Sequence, residues 1–246
     1  MFTVRVVSAP DERDALIADL HEAGTLGILE EEQHLVAWFD TEEVAARFGT
    51  VEVAPAQDWS TAWQQVWTPR LVGERFYLSP PWMEQPTPPG RIRIDYQPGM
   101  ACGTGEHPGT RLAMMGLEAV TRAGDTVLDV GCGSGILCHA ARLLGARAIG
   151  CDIEAPDIGV ASEHLPGDYF VGSANSVRTK SVDIVTANID AEVLVMLAAD
   201  LQRVARRAIV LSGFRLESVP RLADLYGPAQ LFEIEGWSAL LVQIVE

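Results

Sequence analysis

The sequence is poor in the residue types that mark secreted, metal-binding or membrane-spanning proteins. It has only four cysteines in 246 residues, and they show neither a C-x-x-C pair nor the spacing of zinc ligands. Neither a disulfide framework nor a structural metal is therefore indicated. No apolar run approaches the roughly 18 residues of a membrane-spanning helix, and the opening alternates like a strand instead of showing a basic start and an apolar block. We expect a soluble, cytoplasmic protein with no metal and no membrane contact.

Basic residues are scarce as well. The chain has 18 of them, with Lys180 as its single lysine, against 34 acidic residues, so its formal net charge is −16. Nucleic-acid binding depends largely on lysine and arginine neutralising phosphates, so we expect no direct nucleic-acid partner. Residues 1–55 alone hold three basic and twelve acidic residues. This acidic segment is either a solvated surface or a docking site for a cationic protein.

The pattern of residues 1–55 predicts a small separate domain. Strand-like and helical stretches follow one another in the order βαββαβ, which is the split pattern of ferredoxin-like folds. Residues 56–72 then carry Trp59, Trp63 and Trp67, one at every fourth position. This spacing places the three rings on one face of a helix. We interpret the segment as a linker helix packed on the next domain, with a ligand site as the alternative.

Residues 73–246 predict a larger α/β domain. It begins with two strand-like pieces, 75–78 and 91–96, in a proline-rich context, which we interpret as a hairpin. Short apolar runs then alternate with helical stretches, which is typical of a parallel, doubly wound sheet. The last two strands flank residues 236 and 237 with no helix between them. We expect them to form an antiparallel pair at the edge of the sheet.

A glycine-rich turn marks the predicted ligand site of this domain. A strand over residues 126–130 runs directly into Gly131, Gly133 and Gly135, and a helix follows. Such a turn lets a ligand approach the backbone and meet the free N–H groups at the start of the helix. The third glycine comes one residue too early for the G-x-G-x-x-G of dinucleotide enzymes. A dinucleotide site and a turn without a ligand are therefore the weaker alternatives.

Two acidic residues specify the predicted ligand further. Asp129, two residues before the turn, would oppose a pyrophosphate but suits a cationic ammonium group. Asp152 closes the next strand, where a carboxylate can accept hydrogen bonds from two ribose hydroxyls. Together with the glycine turn, they favour S-adenosylmethionine as the cofactor. Ser173 and Asn175, after the third strand, are candidates for the adenine edge, with ordinary loop polarity as the alternative.

Several separated motifs resemble the methyltransferases of ribosomal protein L11, the PrmA family. Residues 102–110 are similar to that family's G-T-G-x-H-P-T-T loop, and residues 127–137 to its cofactor loop. Further similarities lie in the ribose strand, the A-N-I turn, the end of the fifth strand and the linker, at residues 148–153, 187–189, 211–213 and 59–82. The resemblance implies an α/β fold with a Rossmann-like, seven-stranded methyltransferase sheet. It also implies an acidic substrate-recognition domain, a linker and an S-adenosylmethionine-binding domain, at residues 1–55, 56–72 and 73–246.

The resemblance assigns roles to individual residues too. Cofactor contacts are implied for Thr110, Gly131, Asp152 and Asn188. Thr104 and His107 would belong to a glycine-rich lid over the methionine end of the cofactor, with a merely structural turn as the alternative. In that lid, His107 is expected to organise the loop and not to act as a base.

These observations predict an enzyme that methylates amino groups of a basic ribosomal protein. The implied substrate is L11, on a lysine side chain, the N-terminal amine or both. Methyl transfer from a sulfonium is an in-line displacement, so the protein mainly positions the reactants. Asn188 is the candidate catalytic residue, because its amide oxygen and nearby carbonyls could hold a neutral acceptor amine. The alternatives are methyl transfer to another protein or a small molecule, and an interaction protein that binds the cofactor but catalyses weakly.

Three positions depart from the family pattern near the predicted acceptor pocket. Gly109 stands where the family has a threonine, Cys102 where it has a phenylalanine, and Asp190 where an apolar residue is usual. We expect cofactor binding to be retained despite these changes. They bear instead on which acceptor is methylated. The oligomeric state and the number of methyl groups added are not specified by the sequence.

Overall fold

The computed structural model describes residues 2–7, 13–30, 34–53, 68–95, 107–165 and 167–244. The chain divides into two compact units, Met1–Trp67 and Thr68–Glu246. Most of the predicted linker helix, including its three tryptophans, lies outside the described residues. Its last three residues, Arg70–Val72, form a strand. The domain boundaries after residues 55 and 72 stay predictions.

The smaller unit is a four-stranded antiparallel sheet with two helices. Its elements are β1 (Phe2–Val7), α1 (Arg13–Glu22), β2 (Gly27–Glu30), β3 (His34–Phe39), α2 (Glu42–Ala45) and β4 (Val51–Val53). The strands lie in the order β2-β3-β1-β4, so the predicted ferredoxin-like arrangement is confirmed. Alternate residues of β3 are buried, as the period of two in a strand requires. Leu35 and Phe39 from that strand join Leu20 of α1 in the core.

The larger unit begins with a three-stranded sheet, which corrects one prediction. It consists of β5 (Arg70–Val72), β6 (Phe76–Ser79) and β7 (Ile92–Asp95). The hairpin is formed by β5 and β6, whereas β6 and β7 pair in parallel. The predicted hairpin between 75–78 and 91–96 is therefore wrong. Two strands can run in the same direction only if the chain crosses back between them, and the proline-rich stretch provides that crossing.

A seven-stranded sheet forms the centre of the larger unit. Its strands are β8 (Thr126–Val130), β9 (Arg147–Asp152), β10 (Asp168–Val171), β11 (Val182–Asn188), β12 (Ala205–Arg215), β13 (Ala229–Ile234) and β14 (Trp237–Gln243). The helices are α3 (Pro108–Val120), α4 (Ile136–Leu143), α5 (Ala155–His164), α6 (Ala191–Val204) and α7 (Val219–Tyr226). The strand order is β10-β9-β8-β11-β12-β14-β13. Only β14 runs opposite to the other six strands, so the last two strands form an antiparallel pair at the edge of the sheet, as predicted.

Helices cover both faces of this sheet, which is why the middle residues of its central strands are mostly apolar and buried. Successive side chains of a strand point to opposite faces. In β12, Val210 lies against Gly116 of α3, whereas Ile209 and Leu211 belong to the buried cluster that includes residues of α6 and α7. The predicted doubly wound sheet is confirmed. Its strand order reverses between β8 and β11, and ligands of such sheets bind at the carboxyl ends of the strands beside this reversal.

Among the described residues, no helix is long and apolar enough to span a membrane.

Candidate cofactor and acceptor site

The predicted strand, glycine turn and helix are present at the reversal point. Gly131, Gly133 and Gly135 have φ values of +73°, +48° and +80°, which glycine adopts without steric penalty. Neighbouring side chains also leave no room for a Cβ atom. One on Gly131 would lie 2.6 Å from Cγ2 of Ile189, and one on Gly135 would lie 2.6 Å from the hydroxyl of Tyr169. Backbone conformation therefore favours glycine at all three positions, and packing also requires it at positions 131 and 135.

Asp152, the last residue of β9, holds the turn in place. Its Oδ2 accepts a hydrogen bond from the backbone N–H of Gly133 at 3.0 Å, and its Oδ1 accepts one from the N–H of Glu154 at 3.1 Å. Each carboxylate oxygen can accept a second hydrogen bond. The carboxylate can therefore orient the turn and still meet the hydroxyls of a ribose. The backbone contact to Gly133 was not predicted from the sequence.

Asp129 lies beneath the turn with none of its surface exposed. Its Oδ2 accepts a long hydrogen bond from Sγ of Cys138 at 3.8 Å, and its Oδ1 has no partner among the described residues. Burial raises the pKa of this carboxyl to about 7; the Cys138 contact opposes the shift and the charge of Asp152 adds to it. An orphaned, buried carboxylate oxygen suits a ligand cation. Its contact with an ammonium group stays a prediction.

Ser173 and Asn175 follow β10 at the same edge of the sheet. Ser173 is half-buried, and Asn175 is exposed and accepts a hydrogen bond from the Ser176 hydroxyl at 3.1 Å. The preceding Gly172 donates its N–H to the carbonyl of Asp152 at 2.8 Å. This hydrogen bond links the segment to β9, the strand that ends in Asp152, the residue predicted to bind the ribose. Ser173 therefore follows a residue that is hydrogen-bonded to Asp152, and its contact with adenine stays a prediction.

Asn188 ends β11 and is held by hydroxyl groups from two other elements. Its Nδ2 donates to Oγ1 of Thr110, in the first turn of α3, at 3.2 Å. The hydroxyl of Ser212 on β12 donates to its Oδ1 at 3.0 Å. Thr110 and Ser212 are themselves buried. The half-buried amide is therefore fixed in orientation, with one further N–H and one further lone pair available to a ligand.

His107 acts as the cap of α3, as the loop-organising role implies. Its Nδ1 accepts a hydrogen bond from the N–H of Gly109 at 3.1 Å. The ring meets Trp237 edge-on at 4.2 Å between centroids, and the Arg215 guanidinium lies 4.0 Å over the Trp237 ring. Partial burial lowers the pKa of His107, and the charges of Arg215 and Arg111 lower it further. The ring is therefore neutral near pH 7, with its proton on Nε2.

The predicted lid and the three departures from the family pattern have different outcomes. Thr104 and Cys102 lie outside the described residues. Gly109 is buried in the first turn of α3. Asp190 is exposed and caps α6, because its carboxylate accepts a hydrogen bond from the N–H of Glu192 at 2.8 Å. The carboxylate at position 190 therefore stabilises the start of α6, and this role does not involve the acceptor.

Two residues of the site were not singled out from the sequence. Ser212 was noted only as part of the fifth-strand motif, although its hydroxyl holds the Asn188 amide. Trp237 was noted only as part of the terminal strands, although it packs on His107. A serine directly after the apolar run 208–211 was the available signal for the first. No local pattern indicated the second.

Comparison with known proteins places these features in a family. The family model described as ribosomal protein L11 methyltransferase (PrmA) matches residues 21–239. Proteins named ribosomal protein L11 methyltransferase are similar in sequence. That of Geobacter metallireducens is 40% identical over 208 residues, which are 79% of this chain and 69% of the relative. That of Chromobacterium violaceum is 36% identical over 205 residues, which are 78% of this chain and 67% of the relative.

A solved structure agrees with the sequence comparison. The crystal structure of ribosomal protein L11 methylase from Lactobacillus delbrueckii subsp. bulgaricus superposes with a TM-score of 0.63 and 26% identity. The superposition covers 72% of this chain and 97% of that chain. The resemblance inferred from the motifs is confirmed, and the chain belongs to the PrmA family of S-adenosylmethionine-dependent ribosomal protein L11 methyltransferases.

Proposed function

We propose that this protein transfers methyl groups from S-adenosylmethionine to amino groups of ribosomal protein L11, on a lysine side chain, the N-terminal amine or both. One observation carries the proposal. The glycine turn, Asp152 and Asn188 meet at the carboxyl edge of the sheet beside the reversal of strand order, where a doubly wound sheet binds its ligands. Family membership supplies the class of acceptor.

The residues at this edge fit the cofactor. The turn of Gly131, Gly133 and Gly135 would lie along the methionine end, Asp152 would hold the ribose, and the orphaned Oδ1 of Asp129 would balance the ammonium charge. Thr110 and Asn188 would border the cofactor from the side of α3, Ser173 from the side of β10, and Thr104 and His107 from the lid. When bound, S-adenosylmethionine supplies a methyl group on a sulfonium that is already a good leaving group.

The described residues of the chain hold and orient the acceptor and do not form a covalent bond with it. An amine must be neutral to act as a nucleophile, so the pocket has to favour the uncharged form. The charges of Arg111 and Arg215, which lower the pKa of His107, act in the same direction on an amine beside it. Burial raises the pKa of the Cys132 and Cys138 thiols, so neither supplies a thiolate.

A methylation assay tests the proposed function. Full-length protein is incubated with radiolabelled S-adenosylmethionine and purified ribosomal protein L11, and in parallel with a cell extract of the source organism. We expect label on L11 and on one small basic band of the extract. Label on other proteins or on small molecules alone would favour the broader methyltransferase. Cofactor binding without any transfer would favour an interaction protein.

The affinity for the cofactor should depend strongly on Asp152. Replacing it by alanine is expected to weaken S-adenosylmethionine binding by about 1.5–3 kcal/mol for each charge-assisted ribose hydrogen bond lost. Isothermal titration calorimetry measures this change, with Asp157→Ala on α5 as the control. Because Asp152 also holds the Gly133 N–H, the unfolding temperature of both variants should be compared. Wild-type affinity of the Asp152→Ala variant would show that Asp152 does not bind the cofactor.

The smaller, acidic unit is proposed to dock the basic substrate in the cytoplasm, without direct contact to nucleic acid or membranes. Exposed carboxylates on and beside its sheet include Glu42, Glu43 and Glu52. Changing these three to glutamine is expected to raise KM for L11 by about 3- to 10-fold at low salt, with kcat unchanged, because long-range attraction speeds encounter. The difference should disappear as salt shortens the screening length from about 10 Å at 0.1 M to about 3 Å at 1 M.

A charge-matched variant provides the control for docking. Glu163→Gln, Asp224→Asn and Glu233→Gln remove the same number of exposed carboxylates from the larger unit. If docking uses the smaller unit, this triple variant should keep the wild-type KM at all salt concentrations. Equal effects of the two triple variants would show that only the net charge of the chain matters.

A further inference from the structure

Ser212 is a buried polar residue of β12 that lies beside Asn188. The two residues are in register on neighbouring parallel strands, so their side chains point to the same face of the sheet. The Ser212 hydroxyl donates a hydrogen bond to Oδ1 of Asn188 at 3.0 Å. Ser212 itself has no exposed surface. It therefore cannot contact a ligand directly, and any influence that it has on one passes through Asn188.

The backbone that carries the Ser212 hydroxyl is firmly held. The carbonyl of Ser212 accepts a hydrogen bond from the N–H of Ile189 at 3.1 Å. The next residue, Gly213, is an extra residue in the pairing of β12 with β14 and has a φ of +91°, which makes it a β-bulge. A Cβ on Gly213 would lie 2.7 Å from the carbonyl oxygen of Ile189, so the two chain segments are in close backbone contact. The hydroxyl of Ser212 therefore extends from a fixed point.

The Asn188 amide, in contrast, depends on hydrogen bonds for its orientation. The last torsion of an asparagine side chain is broad, so it has no single strongly preferred angle of its own. Two hydroxyls hold the amide, Ser212 at Oδ1 and Thr110 at Nδ2, the latter at 3.2 Å. Without the Ser212 hydroxyl, Oδ1 has no hydrogen-bond donor among the described residues. The amide could then turn while it keeps its contact with Thr110.

We propose that Ser212 is a positioning residue for methyl transfer, because its hydroxyl sets the orientation of the Asn188 amide and through it the place of the acceptor amine. The orientation matters chemically. An amide oxygen accepts an N–H of the amine and leaves the amine lone pair free to attack, whereas an amide N–H would donate to that lone pair and block it. The inference deepens the proposed function, since it rests on the acceptor-holding role of Asn188.

Ser238 on the neighbouring strand β14 gives a matched control. It also has no exposed surface, and its hydroxyl has no partner among the described residues. Ser212→Ala and Ser238→Ala therefore remove the same atom from two fully buried positions of one sheet. Only the first of these hydroxyls contacts Asn188. A merely structural role for Ser212 predicts similar kinetics for the two variants.

The kinetic test is a double-mutant cycle between Ser212→Ala and Asn188→Ala. We expect Ser212→Ala to lower kcat for L11 by about 5- to 10-fold, the change in population that one hydrogen bond supports, and to change KM for L11 and the Kd of S-adenosylmethionine by less than about 2-fold. In the Asn188→Ala background it should change kcat by less than about 2-fold, because the amide is gone. Ser238→Ala should leave kcat unchanged in both backgrounds. Equal losses from Ser212→Ala in the two backgrounds, or a wild-type kcat of that variant, would overturn the proposal.

A spectroscopic arm needs no activity. The chain has only two asparagines, Asn175 and Asn188, so selective ¹⁵N-asparagine labelling gives two side-chain amide signals. Ser212→Ala should move the Asn188 signal, speed its hydrogen exchange with water and leave the Asn175 signal in place, whereas Ser238→Ala should affect neither. An unchanged Asn188 signal in the Ser212→Ala variant contradicts the positioning role. If the wild type fails to methylate L11, the proposed function fails while this arm still decides whether Ser212 holds the amide.

Thermal unfolding covers the case in which Ser212→Ala does not fold. Removing one partner of a buried hydrogen bond leaves the other unsatisfied, whereas removing both partners costs much less. The proposal therefore predicts that Ser212→Ala combined with Asn188→Ala recovers a cooperative thermal transition. An equally unfolded double variant would show that the Ser212 hydroxyl stabilises β12 without acting on Asn188, and the proposal would then be wrong.

Discussion

Replacing Asn188 by alanine is expected to lower kcat for methyl transfer by about 100- to 1,000-fold, which is the usual cost of losing one pre-oriented hydrogen-bonding group in an active site. The amide is held between Thr110 and Ser212, so it presents a fixed lone pair and a fixed N–H at the carboxyl end of β11. An in-line displacement depends on the angle of attack more than on proton transfer. Loss of this group should therefore affect the rate more than the binding of the cofactor.

Two measurements separate these effects. Single-turnover methylation of L11 gives the rate of the chemical step, and calorimetry gives the Kd of S-adenosylmethionine, which should rise by less than about 5-fold. Gln202→Ala, which removes an amide from the far end of α6, is the control and should behave as wild type. A variant of Asn188 with wild-type turnover would remove it from the catalytic site. Equal losses in rate and cofactor affinity would make it a cofactor ligand only.

Features encoded by neighbouring residues were predictable from the sequence. The strand, turn and helix from β8 to α4 are contiguous, so their apolar run and three glycines identify them without knowledge of the fold. The same holds for the elements of the smaller unit, where the predicted βαββαβ order matches the observed one. In both cases the hydrophobic pattern that identifies an element lies within a short stretch of neighbouring residues.

Features that depend on distant contacts were not predictable in this way. The parallel pairing of β6 and β7 joins Phe76 to Ile92, and nothing in either strand distinguishes it from a hairpin. The hydrogen bonds around Asn188 join it to Thr110 and to Ser212, which are 78 and 24 residues away in the sequence. Such bonds exist only because helix and strands converge at one edge of the sheet, so only the folded chain reveals them.

Asp129 was predictable from the sequence in one respect and not in another. Its position before the glycine turn indicated a ligand contact, but the sequence did not indicate that the side chain is wholly buried. On the neighbouring strand β11, Thr186 is in register with Asp129, and its buried Oγ1 also has no partner among the described residues. Two orphaned polar atoms therefore lie on adjacent strands beneath the glycine turn. Such an arrangement costs stability in the absence of a ligand.

Asp129→Asn is expected to raise the free energy of unfolding of the cofactor-free protein at pH 8 by up to about 4 kcal/mol, with little change near pH 4. Burial raises the pKa of the carboxyl from 3.8 to about 7 in the folded chain. Below the unfolded pKa the group is neutral in both states and costs nothing. As the pH rises from the unfolded pKa to the folded pKa, the unfolded chain is increasingly favoured, because its exposed carboxylate ionises while the buried one stays protonated. Above the folded pKa the difference stays constant. Asparagine is neutral throughout and avoids this loss.

Denaturant unfolding between pH 4 and pH 8 measures this effect, and Asp168→Asn provides the control. Asp168 is exposed and its ion pair with Arg147 lies at the surface, so its replacement should change stability by less than about 1 kcal/mol at every pH. If Asp129 balances the ammonium of the cofactor, Asp129→Asn should at the same time bind S-adenosylmethionine more weakly. A stability gain coupled to an affinity loss is expected where a site keeps a destabilising charge for its ligand. A stability difference that does not vary with pH would show that Asp129 ionises normally in the folded chain, and unchanged affinity would show that its charge does not serve the cofactor.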